Sequence, residues 1–311
     1  MKTICFLGEC MVELRANDED TMHQSFAGDV YNSAVYLKRC FGDVSTAIIT
    51  AVGQDGLSDK MVNRFKCENI DPQFVFKHPS KAPGIYLIET DEKGERSFTY
   101  WRSDSAARKV VEFIDDKALE RLLKADMFFF SGISLAVIED IAREKFWQVL
   151  EKLKLAGVRV VFDPNYRARL WNSASEAKEQ FDKAFSMANI ALPGVEDFKE
   201  LYGINSAQGV VEFCQPFQLE ELIVKNGPES VISYSQGALL SHDIVPVTNV
   251  VDTTSAGDAF NGVYLGSRLI GQPISESIQL AAIAAGTVIQ HPGAIAPKQA
   301  FIDAMSAANR Q

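Results

Sequence analysis

Three short, almost wholly apolar runs, Thr3–Leu7, Met127–Ser131 and Val158–Phe162, constrain this chain more than any other feature. A strand with one wet face alternates apolar and polar residues; runs this uniformly apolar are buried on both faces. The last two end at Gly132 and at Asp163-Pro164, residue types that stop a strand. Stretches with helical spacing, Ile138–Ala156 and Glu176–Ala188, alternate with them, and Ile190–Leu192 and Leu222–Lys225 continue the pattern. Strand and helix in turn predict an α/β fold, a mostly parallel sheet between helices. The chain has 311 residues and no repeat, low-complexity segment or Pro/Gly-rich linker, so one domain over 1–311 is expected.

A second texture interrupts the first third. Gly84–Glu89 and Ser97–Trp101 are rich in β-branched and aromatic residues and flank the turn sequence Asp91-Glu92-Lys93-Gly94, which predicts a hairpin. Met11–Arg15 and His23–Phe26 supply further short strands. These do not fit easily into a parallel sheet. They predict a small β-sheet appendage, drawn from about 11–26 and 84–102, that acts as a lid over a site, as a surface for a second copy, or as both.

Bulk properties exclude several classes. A net charge of −10 argues against nucleic acid as a partner. Five cysteines, odd in number, widely spaced and without a CxxC pair, read as reduced thiols, and the four histidines lack metal-ligand spacing. The N-terminal apolar run is short and reads as a first strand, not a signal peptide. No apolar stretch approaches the roughly 20 residues of a membrane span, so a cytoplasmic protein is expected.

The most informative segment is Val250-Val251-Asp252-Thr253-Thr254-Ser255-Ala256-Gly257-Asp258-Ala259-Phe260. A strand-like pair leads into small and hydroxylated residues, and a helical pattern follows. Small residues let a phosphate approach backbone N–H groups, and a helix N-terminus supplies unpaired donors and partial positive charge. Ala256 and Gly257 would stabilise a transferring phosphoryl group there. Asp258, in the first helical turn, would accept the proton of an attacking hydroxyl. Alone, an Asp at a helix start is more often complementing the helix dipole; the whole string favours the base. No GxxxxGK[ST] P-loop is present.

This string resembles the second signature, D-T-x-G-A-G-D, of the ribokinase-like (PfkB family) carbohydrate kinases. Ser255 stands where most members have Gly, at a turn that wants positive φ. The 2-keto-3-deoxygluconate kinase branch carries a small non-Gly residue there. Gly28-Asp29-Val30-Tyr31-Asn32 resembles the family's first signature, G-G-x-x-x-N, with Ala27 replacing the first Gly. Asp29 and Asn32 could both bond substrate hydroxyls, although Asp29 by itself reads first as an N-cap.

Arg102 at the end of the predicted hairpin and Arg167 after Asp163-Pro164-Asn165-Tyr166 stand at predicted ligand-facing turns. A sugar acid needs a fork of donors for its carboxylate, and Arg supplies one. An isolated Arg is usually a solvated charge. Tyr100-Trp101-Arg102, the Asp163–Arg167 segment and Gly8-Glu9-Cys10-Met11-Val12-Glu13-Leu14 are similar to the 2-keto-3-deoxygluconate kinases. That resemblance implies sugar-acid contacts from Tyr86, Tyr100, Arg102 and Arg167, where sheet packing is the plain alternative for the tyrosines. Leu222–Gly227 resembles the strand and Gly loop near ATP, which implies nucleotide contacts from Lys225, Gly227, Ser255 and Gly257. Lys225 reads equally as a solvated strand end. Asn165 would reach the phosphates. Gly194-Val195-Glu196-Asp197 stands where many members carry N-x-x-E, so the metal ligands stay unassigned.

The resemblance implies Mg–ATP as co-substrate, a monovalent cation near Asp252, and phosphorylation of 2-keto-3-deoxygluconate at its primary hydroxyl. Alternatives are a fructokinase or another neutral-sugar kinase, and a catalytically silent sugar-acid sensor. A nicotinamide-dependent oxidoreductase would need G-x-G-x-x-G after the first strand, which Gly8-Glu9-Cys10 does not begin.

Overall fold

The computed structural model describes residues 1–18, 20–90 and 96–308; the turn predicted at 91–94 lies outside them. Its strands are β1 (Thr3–Leu7), β2 (Met11–Ala16), β3 (Met22–Ala27), β4 (Ser45–Val52), β5 (Asp71–Lys77), β6 (Ile85–Thr90), β7 (Arg96–Trp101), β8 (Met127–Ser131), β9 (Arg159–Asp163), β10 (Ile190–Ala191), β11 (Glu221–Asn226), β12 (Ser230–Ser235) and β13 (Ala238–Asp243). The larger sheet has the order β13-β12-β11-β10-β9-β8-β1-β4-β5. Every neighbouring pair from β5 to β11 is parallel, and β12 and β13 close that end as antiparallel hairpins.

Burial on both faces explains the unbroken apolar runs. Along β1, Ile4 and Phe6 pack with the helices Asp29–Cys40 and Ala256–Leu269, while Cys5 and Leu7 pack with Asp140–Leu155 and Ala174–Met187. A smaller sheet, β3-β2-β6-β7, holds the four strands predicted as an appendage. Its two hairpins, β2–β3 and β6–β7, are joined by parallel pairing of β2 with β6. The Val250-Val251 pair is not a strand. The N–H groups of Val251 and Asp252 instead bond to the Ile289 carbonyl at 2.8 and 3.0 Å, fixing the loop against the end of the helix Ile274–Val288.

The helices Asp29–Cys40 and Ala256–Leu269 lie against each other. Their closest approach needs Gly262: a Cβ there would stand 2.1 Å from the Ser33 carbonyl oxygen. That carbonyl is backbone and cannot rotate away, so any side chain must push the helices apart. Gly262→Ala is therefore expected to lower unfolding stability by about 1–3 kcal/mol in urea titrations.

Candidate active site

The parallel sheet reverses its winding at β1. From there the chain steps outward to β4 and β5 on one side, and to β8, β9, β10 and β11 on the other. Ligands of open α/β sheets bind where the order reverses, beyond the C-terminal strand ends. Glu9 follows β1 at that point, Ser131 ends β8, and Asp163 ends β9.

Asp258 enters this crevice from the first turn of the helix Ala256–Leu269. The Asn32 amide, on the neighbouring helix, donates to its Oδ2 at 2.8 Å, and Asn32 Oδ1 accepts the Gly28 N–H at 3.3 Å. Asn32 is buried and so fixes the carboxylate, and the Ser255 side chain is a second hydrogen-bonding neighbour of Asp258. Burial, followed by the charge of Asp29, raises the Asp258 pKa to about 7, against which the Asn32 hydrogen bond works. A base poised near neutrality suits proton abstraction from an alcohol during phosphoryl transfer. The residue that opens the helix, Ser255, has φ +68°, the left-handed region foreseen for that position.

Gly28, not Asp29, is the N-cap of the helix Asp29–Cys40, and no side chain caps it. The N-cap reading of Asp29 is thereby corrected. Gly28 is needed for a close approach, since a Cβ would lie 2.3 Å from the Glu9 carbonyl oxygen. Asp29 points its Oδ2 at the Ser131 hydroxyl, 2.5 Å away, and at the Asn165 amide, 3.1 Å away. Asn165, with φ +33°, thus turns towards Asp29.

Lys225 is not a solvated strand end. Its ammonium donates to Asp163 Oδ2 at 3.2 Å and to Asn261 Oδ1 at 3.1 Å, and it lies 3.9 Å from where a Cβ on Gly257 would be. Asp197 occupies the fourth position of the altered N-x-x-E stretch. It accepts the Tyr166 N–H at 3.1 Å and meets Arg167 at 3.5 Å. Burial, and then Asp163, raises its pKa to about 6. Arg167 is half exposed and also bonds the Tyr166 carbonyl at 2.6 Å. Gly227 carries φ +55° in the β11–β12 turn with open space around it. Among the described residues, no group of three or more His, Cys, Asp or Glu could hold a metal. A Mg²⁺ entering with a nucleotide would be carried chiefly by phosphates and waters, for which one carboxylate such as Asp197 suffices. Its charge would offset the carboxylates of Asp29, Asp163, Asp197 and Asp258 around the phosphates.

Polar and aromatic side chains gather on one face of the smaller sheet. Tyr86 and Tyr100 pair across β6 and β7 and stack at 5.6 Å, and the Arg169 guanidinium lies 4.0 Å over the Tyr100 ring. The Tyr86 hydroxyl donates to Glu13, which also accepts from Ser25 at 2.7 Å. Arg102 is paired with buried Glu9 at 2.5 Å, so it is not a free cation. Glu9, Glu13, Asn261 and Arg169 carry no role in the sequence reading. For two of the four a signal was present, an acid two residues past β1 for Glu9 and an Asn three positions beyond Asp258 for Asn261.

A half-buried carboxylate at a small-residue helix N-terminus, where this sheet reverses, is an arrangement suited to phosphoryl transfer to a hydroxyl. The chain matches the pfkB family carbohydrate kinase model over residues 1–300 and belongs to that family. A 2-dehydro-3-deoxygluconokinase of Haemophilus influenzae is 37% identical, over 97% of this chain and 98% of that protein. A fructokinase of Salmonella typhimurium is 29% identical, over 84% and 82%. The crystal structure of a 2-dehydro-3-deoxygluconokinase from Thermotoga maritima has a TM-score of 0.83 at 21% identity, covering 98% of this chain and 100% of that one. The fold is the ribokinase-like one expected.

Two outcomes follow from Asp258. The base must be ionised, so kcat/KM is expected to fall as pH drops through about 7. Its raised pKa means that the folded state holds the proton more tightly than the unfolded chain. The stability this contributes is complete below the unfolded value and is lost as pH rises through about 7. Asp258→Asn should therefore abolish turnover yet raise the melting temperature relative to wild type more at pH 8 than at pH 5. Ser255→Gly, which relieves the left-handed strain, should raise stability by up to about 1 kcal/mol in thermal melts.

Proposed function

We propose that this enzyme phosphorylates 2-keto-3-deoxygluconate (the same compound as 2-dehydro-3-deoxygluconate) at its primary hydroxyl, with Mg–ATP as donor, in the cytoplasm. The observation that carries the reading is Asp258, held by Asn32 in the first turn of a small-residue helix N-terminus. Asp258 Oδ1 takes the hydroxyl proton as the acceptor oxygen bonds to the γ-phosphorus. The bond from that phosphorus to the β–γ bridging oxygen breaks, and ADP leaves with the bonding pair. The N–H groups of Ala256 and Gly257 hold the transferring phosphoryl, with Lys225, Ser255 and Gly227 on the nucleotide side. Asn165, through Asp29, braces the boundary between acceptor and phosphates.

The smaller sheet is the lid of this single domain, and Tyr86, Tyr100, Arg102, Asp29 and Gly28 line the sugar's chamber. Arg167 is the cation most available to the acceptor's carboxylate, because Glu9 already neutralises Arg102. Mg²⁺ supplies charge neutralisation at the phosphates when bound. Asp252 accepts N–H groups from Thr254 at 2.9 Å and Gly293 at 2.7 Å, and a monovalent cation near it belongs to this proposal. The five cysteines are free thiols, which suits a reducing compartment. No helix among the described residues is long and apolar enough to cross a membrane.

The Glu9–Arg102 pair favours one second reading, a neutral-sugar kinase, because it gives Arg102 a partner without an acidic substrate. ATP consumption with 2-keto-3-deoxygluconate, fructose, ribose and gluconate at equal concentration separates the two. Preference for the keto acid is expected, with Arg167→Ala raising its KM about tenfold or more. Preference for fructose would replace the substrate and keep the kinase. No turnover with any of them would favour the silent sensor.

The other face of the lid exposes Met22 and Trp101, at 55% and 56%, with β3 and β7 as open edges. A second copy of this chain is the occupant we propose. Light scattering should give a dimer for the native protein and a monomer for Trp101→Glu.

A further inference from the structure

We propose that Asp163 and Asn261 form a two-point cradle that fixes the Lys225 ammonium under the first turn of the Ala256–Leu269 helix, making Asn261 and Asp163 positioning residues for phosphoryl transfer. The inference rests on the reading of Lys225 as a phosphate contact.

Four observations support it. Asn261 lies three positions beyond Asp258, so it leaves the helix on nearly the same face, one turn deeper. Its amide is used at both ends: Nδ2 donates to Asp163 Oδ2 at 2.6 Å, and Oδ1 accepts from Lys225 at 3.1 Å. Asp163 Oδ2 also accepts from Lys225, at 3.2 Å, which closes a three-membered ring of side chains from β9, β11 and the helix. Asp163 and Asn261 are both buried, and Asp163 Oδ1 has no hydrogen-bond partner, so Lys225 is the cation that balances this carboxylate.

A lysine has a flexible four-carbon stem and three donors. Two donors are committed to the cradle, and the third remains for a phosphate at the Gly257 N-terminus. Without the cradle the ammonium would sample many rotamers, and the ordering would fall on the transition state. The charge of Asp163 also bears on Asp258, Asp29 and Asp197, whose pKa values it helps to raise. The ring thus ties the phosphate-side cation to the helix that carries the base.

The test is a double-mutant cycle on kcat and on KM for both substrates, using Lys225→Met, Asn261→Leu and the pair. Asn261→Leu should lower kcat about tenfold or more, with the KM of the sugar acid nearly unchanged. On the Lys225→Met background it should cost almost nothing further, because it acts through Lys225. A full additive loss on that background would overturn the cradle while leaving Lys225 at the phosphates. Wild-type kcat and nucleotide KM in Lys225→Met would overturn both. If Asn261→Leu does not fold, Asp163→Asn, which keeps shape and hydrogen bonding while removing the charge, runs the same cycle: no further loss on the Lys225→Met background supports the cradle, and a full additive loss overturns it.

Discussion

The hydrogen bond between Asn32 and Asp258 joins two helices that begin more than two hundred residues apart, and the rest of the site is arranged around it. It forms because Gly262 lets those helices touch at backbone distance. Helix contact therefore fixes the orientation of the Asp258 carboxylate, and close packing converts apolar burial elsewhere in the two helices into precision at one side chain. Residues such as Val30, Tyr31, Phe260 and Val263 hold the geometry by filling the space between the helices and the sheet.

Electrostatics impose the second constraint. Asp29, Asp163, Asp197 and Asp258 gather at the ends of parallel strands and at helix starts, where burial makes each charge costly. Their treatment differs. Asp163 is balanced by Lys225, Asp29 is held by the Ser131 hydroxyl and the Asn165 amide, and Asp197 leans on Arg167 and a backbone N–H. Asp258 is held by the neutral amide of Asn32, with the charge of Asp29 beside it. Burial first, and then the charge of Asp29, bring the proton affinity of Asp258 to near neutrality against the pull of the Asn32 hydrogen bond.

Much of this was legible because it is local. The parallel sheet follows from uniformly apolar runs, the smaller sheet from β-branched and aromatic texture, and the placing of Asp258 in a first helical turn from the contiguous string around it. The left-handed Ser255 was foreseen for the same reason, since φ belongs to one residue and its neighbours. What was not legible is pairwise. Nothing near Arg102 in sequence announces Glu9, and nothing near Asn261 announces Asp163, because those contacts exist only once β1, β7, β9 and the Ala256 helix have been assembled. Asp29 shows the limit most clearly. Its residue type fits an N-cap, but the extended backbone of Gly28, pressed on Glu9, takes that position and turns the carboxylate towards Ser131.

The short connection between β3 and the Asn32 helix has a mechanical meaning. β3 ends at Ala27, the helix begins at Asp29, and Gly28 alone lies between them. The small sheet and the helix start that holds the Asp258 carboxylate are therefore coupled with almost no slack. The position of the small sheet and the position of Asn32 are thus set together, with Gly28 as the one joint between them.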